Sequence, residues 1–111
     1  MDVELLHSAN YRTFLHSQIK KIGKRGVKAS LAKAADCQQS RMTQILNGTA
    51  HLNEDQALGV CRYLNLTETE SDYFILLVRC ERAQSKTLRD YLNTKVMKIK
   101  DEISDQTLLT S

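Results

Sequence analysis

The chain contains no proline and no tryptophan, and only four glycines among 111 residues. Without proline there is no residue that must break or kink a helix, and with so few glycines the breaks can fall at only a few places. Set beside abundant Leu, Ala, Lys, Gln and Glu, these absences predict an all-α protein with no sheet. The length suffices for one core of about 100 residues and excludes a second independent one. No signal peptide and no run of about 18 apolar residues occurs, so a soluble, cytoplasmic protein with no membrane partner is expected. Cysteine is scarce and odd in number. Cys37, Cys61 and Cys80 lie too far apart for a disulfide framework or a metal site, which leaves reduced, buried thiols as the expectation. His7 and His16 have no companions at metal spacing, and His51 reads as an exposed loop residue. Paired carboxylates, an activated nucleophile and a phosphate-cradling glycine loop are all missing, so neither an enzyme nor a cofactor is expected, and no small-molecule substrate is identified.

What is present is an uneven charge. The net charge is only +3, yet Met1 to His51 carries eight Lys and Arg against three Asp and Glu, whereas Leu52 to Ser111 carries eight against ten. Within Lys20 to Arg41 the bias sharpens: Lys20, Lys21, Lys24, Arg25, Lys28, Lys33 and Arg41 are opposed by Asp36 alone. Taken by itself such a run is a solvated helix surface. It coincides, however, with the most patterned stretch of the chain.

That stretch is Lys28 to Asn47, KASLAKAADCQQSRMTQILN. Leu31, Ala32 and Ala35 fall on one face of a first short helix, and Met42 and Ile45 on the inner face of a second. Ala32 stands where the two would cross, small enough for close backbone approach. Cys37 is a small plug in the turn, and Asp36 occupies the position that needs a left-handed backbone, which Asp tolerates better than most residues. This is the spacing of a helix-turn-helix, whose second helix enters the major groove of DNA. A basic face beside it is what phosphate attraction requires.

Along the whole chain six helical segments are predicted. Asn10 caps a helix carrying Tyr11, Phe14, Leu15, Ile19 and Ile22, which stops between Gly23 and Gly26. Val27 to Ala35 and Gln38 to Leu46 follow, the latter stopped by Gly48. Asn53 with Gln56, and Thr67 with Glu70, read as capping boxes opening the next two helices. The first of these would bury Ala57, Leu58, Val60, Cys61 and Leu64. The second contains six consecutive apolar residues, Tyr73 to Val78, which a buried strand could also supply; the preceding box and the charged continuation Arg79, Glu81, Arg82 favour a helix. A last amphipathic helix starts near Thr87 and extends towards Ile103, with a frayed tail after Ser104. Leu92, Val96, Ile99 and Ile103 form a heptad seam on it. The seam either packs back on its own domain or mediates homodimerisation. Residues 1–85 are thus read as the DNA-binding domain and 86–111 as a C-terminal helix and tail, a candidate dimerisation element.

The run LAKAADCQQSRMTQILNGTAHLNEDQALGVCRYLNL, Leu31 to Leu66, resembles the lambda-repressor and Cro type of helix-turn-helix domain, including the Leu-Ala opening, the Asn47-Gly48 exit and the closing Tyr63-Leu64-Asn65-Leu66. With ETESDYFILLV added, the chain is also similar to a bacterial family of uncharacterised paralogous regulators with an N-terminal module of this kind. The resemblance implies a bundle of about five helices plus the C-terminal one. It further implies that Gln39, Ser40 and Gln44 reach base edges, where a Gln carboxamide suits adenine in a bidentate pair. Lys28, Gln38, Arg41, Thr43, Asn47 and Asn53 are implied for phosphates or neighbouring contacts, with Asn53 equally placed as a helix cap. Thr49, Ala50 and His51 depart from the polar or basic loop of related repressors, which weakens that auxiliary contact.

Two functions are compatible with these residues. One is a sequence-specific double-stranded DNA-binding transcriptional regulator, dimeric on a near-palindromic site. The alternative is a protein-interaction module that keeps the fold and modulates another regulator. The outer face of the second helix, Gln38, Gln39, Ser40, Arg41, Thr43 and Gln44, carries no acid, which favours the first.

Overall fold

The computed structural model describes residues 3–110, with side chains described from 4 to 102. Seven helices succeed one another: α1 (Val3–His7), α2 (Tyr11–Ile22), α3 (Val27–Ala34), α4 (Gln39–Asn47), α5 (Glu54–Tyr63), α6 (Glu68–Arg82) and α7 (Lys86–Thr110). No strand occurs among the described residues. The fold is all-α, and Tyr73 to Val78 lies within α6.

The local chemistry explains where the helices start and stop. Asn10 Oδ1 accepts from the Thr13 amide at 2.9 Å and opens α2. Asn53 with Gln56, and Thr67 with Glu70, form complete capping boxes at the heads of α5 and α6. Three helices end by one device, a left-handed residue followed by an amide that reaches back to a carbonyl five residues earlier. Asp36 (φ 55°) serves α3, Gly48 (φ 88°) serves α4, and Asn65 (φ 57°) serves α5. The closing bonds run from Cys37 to Ala32, Thr49 to Gln44 and Leu66 to Cys61, at 2.9, 3.0 and 3.0 Å.

The core is a single cluster centred on α2 and α6. The Phe74 ring meets Tyr11 and Phe14 edge-on, each with centroids 6.0 Å apart. In α6, Tyr73, Phe74, Leu76, Leu77 and Val78 are all buried, which is why that helix reads as an unbroken apolar run. Gly59 lets α5 lie against the end of α3, because a Cβ there would collide with the Ala34 carbonyl oxygen.

The structure departs from the sequence expectations in four places. α1 is an additional helix that buries Leu5 and Leu6; five residues are too few to show a period. Leu58 is 39% exposed rather than core, since the face through Ala57, Val60, Cys61 and Leu64 leaves it about 100° to one side. α7 continues to Thr110 where a frayed tail was expected, and no glycine or proline follows Gly59 to stop it. Cys61 is the buried thiol, while Cys37 and Cys80 are half-buried.

The heptad seam of α7 is used within the chain. Leu92 and Val96 are buried and Ile99 is half-buried against the core, with α6 as the principal neighbour of α7. Ile103 lies outside the residues whose side chains are described. Of the two roles open to the seam, packing back on its own domain already covers its first three residues.

Candidate nucleic-acid interface

α3 and α4 are short helices joined by the turn 35–38. Leu31, Ala32, Ala35, Met42, Ile45 and Leu46 form their shared inner side, all buried. Because 42, 45 and 46 are turned inward, positions 40, 43, 44 and 47 share the outer face, with 39 at its N-terminal edge. Gln39, Ser40, Thr43, Gln44 and Asn47 are all exposed there, as are Gln38 at the N-cap and Arg41 on the flank. Thr43 is partly committed, since its hydroxyl donates to the Gln39 carbonyl at 3.1 Å. Asn53 is exposed, but its Oδ1 accepts from the Gln56 amide at 2.7 Å, so the capping role is filled.

The heads of α3 and α4 differ from those of α2, α5 and α6, which are closed by a capping side chain. Gly26 opens α3 and Gln38 opens α4, neither through a side-chain hydrogen bond, and neither first turn holds an acid. Amide donors and the positive ends of the helix dipoles are therefore left uncompensated beside Lys28 and the exposed 39–40 edge. Lys20, Lys21, Lys24, Arg25, Lys28, Lys33 and Arg41 are exposed. The ion pairs among the described residues, Arg12–Glu81 and Arg79–Glu54, involve none of them.

The far end of α4 is held by α2. Arg12 Nε donates to the Ile45 carbonyl at 2.8 Å, and one turn along the same helix His16 Nε2 lies 2.9 Å from the Leu46 carbonyl. Arg12 also reaches Ala50, His51 and Glu81. His51 is thus a half-buried, hydrogen-bonded residue, a correction to its reading as an exposed loop residue. Arg12, His16 and Glu81 carried no motif. Their one signal was Arg12 standing three residues before Leu15, on the edge of the apolar stripe of α2.

Other chemistry is sparse. Among the described residues no three His, Cys, Asp or Glu side chains cluster as a metal site would need. Burial pushes the Cys61 thiol up to about 11, which keeps it protonated and a poor nucleophile at neutral pH. No helix among the described residues is long and apolar enough to cross a membrane.

No family model, curated protein or solved structure matches this chain. The reading of the α3–α4 face therefore stands on its own residues.

Proposed function

We propose that the protein is a sequence-specific double-stranded DNA-binding transcriptional regulator of lambda-repressor-like build, acting in the cytoplasm, with α4 in the major groove. The observation that carries this reading is the exposed, acid-free polar face of α4, a helix whose head, like that of α3, has no side-chain cap, in a segment whose exposed lysines take no part in the ion pairs of the described residues. Gln39 and Gln44 are the base readers, each suited to adenine, with Ser40 as an adaptable third. Lys28 and Arg41 meet phosphates as charges, while Gln38, Asn47 and the Asn53 amide group meet them as neutral donors. Thr43, its hydroxyl engaged within the helix, contributes contact rather than a donated bond.

A homodimer on a near-palindromic site belongs to the same proposal, since a single small interface leaves few base contacts. Leu92 and Val96 are buried within the chain and Ile99 is half-buried, so the part of the proposed seam Leu92, Val96, Ile99 and Ile103 that remains for a dimer contact is its C-terminal end. Among the described residues of α7, Leu88, Tyr91 and Met97 are large, apolar and exposed. The same exposed residues favour the second reading, a helix-turn-helix module that modulates another regulator by protein contact.

A genomic binding selection on the purified protein, with its solution mass measured alongside, separates the two. The DNA reading expects enriched duplexes and an affinity that falls steeply with salt. It also expects the Gln39→Ala, Gln44→Ala double variant to keep non-specific binding and lose sequence preference, at about 1–3 kcal/mol per bidentate pair. Unchanged preference in that variant would overturn the contact assignment, and no enrichment even at low salt would leave the interaction module.

A further inference from the structure

We propose that Arg12 is the positioning residue of the reading helix, acting through a clamp with His51 and Glu81 that opens when His51 is protonated. The consequence for DNA rests on the function proposed above; the clamp itself rests on geometry.

One guanidinium joins three parts of the molecule. From α2, Arg12 gives Nε to the Ile45 carbonyl in the last turn of α4 and Nη2 to the Ala50 carbonyl in the loop beyond it, both at 2.8 Å. Nη1 meets Glu81 of α6 at 3.2 Å, and the side chain is only 14% exposed. A largely desolvated charge of this kind is held by its whole set of acceptors, so it fixes the backbone that supplies them. The guanidinium carbon also lies 4.9 Å from the centre of the Tyr11 ring. The exit angle of α4, and with it the lie of Gln39 and Gln44, is therefore tied to α2 and α6.

His51 supplies the sensitive contact. Its Nδ1 lies 2.9 Å from Arg12 Nη2 and 3.3 Å from the Tyr11 hydroxyl, so two donors converge on one lone pair. That arrangement needs a neutral imidazole with its hydrogen on Nε2, a tautomer inferred from the network. A proton on Nδ1 can be taken by the Tyr11 hydroxyl oxygen, but it would confront the Arg12 N–H, which has no lone pair to offer, and force Arg12 to withdraw.

The surroundings reinforce this. From α2 the ring faces Arg12 and Tyr11, and from α6 Arg82 and Glu81. Arg41 of α4 shares its cleft, to which α5 contributes the neutral Gln56, preceded by its cap Asn53. Of the charges that act on the ring, two guanidinium groups, Arg12 and Arg82, oppose one carboxylate, Glu81. Burial first, then Arg12 and Arg82, hold His51 below its ordinary 6.5, with Glu81 working against them. A depressed folded value means that the clamp's contribution is complete above the ordinary value and is lost as pH falls through the lower one.

The test follows the His51 imidazole and the backbone amides 45–51 of the full chain by NMR, from about pH 7.5 to about pH 5. In the wild type those amides should shift with the His51 midpoint, below 6.5. In His51→Asn, which keeps an acceptor near Nδ1 and cannot titrate, that step should vanish. Arg12→Lys keeps the charge without the fork and should displace the same amides already at neutral pH. On a selected DNA site, the ratio of specific to non-specific affinity should fall about three- to tenfold on acidification and stay flat in His51→Asn. Amides that stay still while His51 titrates, or the same step in His51→Asn, would overturn the clamp. Failure to bind any duplex would overturn the DNA reading instead, with the amide shifts still deciding the clamp.

Discussion

The helix pair α3–α4 and the pair α5–α6 are built from the same fold elements and finished in opposite ways. α5 and α6 each open on a complete capping box with two acids in the first turn, so their heads are closed by their own side chains. α3 and α4 open without side-chain caps and without acids. Lacking a capping side chain costs about 1 kcal/mol at an ordinary residue and only a few tenths at a glycine such as Gly26, and a carboxylate near the head would add a few tenths of stabilisation. The α5–α6 pair therefore has the composition of a support optimised for stability. The α3–α4 pair forgoes that stabilisation on the side where its exposed residues are polar or basic, which makes sense if an anion completes those helix heads.

The contrast can be broken first at the support. Phe74→Ala removes the ring that packs against Tyr11 and Phe14 and leaves a cavity in a fully buried site. Chemical denaturation should show a loss of about 3–5 kcal/mol, a large part of the stability of a domain this size. A comparable loss is not expected from Gln39→Ala with Gln44→Ala, whose exposed side chains should change stability by less than about 0.5 kcal/mol. If the surface pair destabilised as much as the core ring, the division into support and reading surface would fail.

The joint between the pairs is the next point. Replacing a helical glycine by alanine ordinarily gains about 1 kcal/mol. At Gly59 the sign should reverse, because the new methyl group would meet backbone, the Ala34 carbonyl oxygen, rather than a side chain that can turn away. A net loss of about 1–3 kcal/mol is expected in urea unfolding. A stabilised Gly59→Ala would mean that α5 does not seat the end of α3 closely.

How much of this was legible depends on the kind of bond. Periodicity marked the inner residues Leu31, Ala32, Met42 and Ile45, and cap chemistry marked Asn10, Asn53, Thr67 and Asp36, because both are patterns among near neighbours. The seam Leu92, Val96, Ile99 was equally visible, but spacing shows that a face is apolar and not what covers it. The Arg12 clamp was invisible for a different reason. Its acceptors at Ile45 and Ala50 are backbone carbonyls 33 and 38 residues away, and a carbonyl has no signature in sequence. His51 was misread on the same account, as its hydrogen-bond partners Tyr11 and Arg12 come from α2 and not from its own loop.

The smallest effect is also the one that most sharpens the comparison. Asn53→Ala and Thr67→Ala should each cost about 1 kcal/mol, since they open a capping box. Gln38→Asp should do the reverse. Gln38 already has the extended backbone of an N-cap, φ −71° and ψ 153°, so an aspartate there can accept a first-turn amide and face the helix dipole. Thermal unfolding should show a gain of about 0.5–1 kcal/mol. The same carboxylate would stand where a phosphate is proposed to lie, so duplex affinity should drop while the fold becomes more stable. Stability and binding moving in opposite directions would identify the bare head of α4 as kept open for an anion. Were Gln38→Asp to stabilise the fold and leave duplex affinity unchanged, that end of α4 would not face the phosphate backbone, and the difference between the two helix pairs would lose its functional meaning.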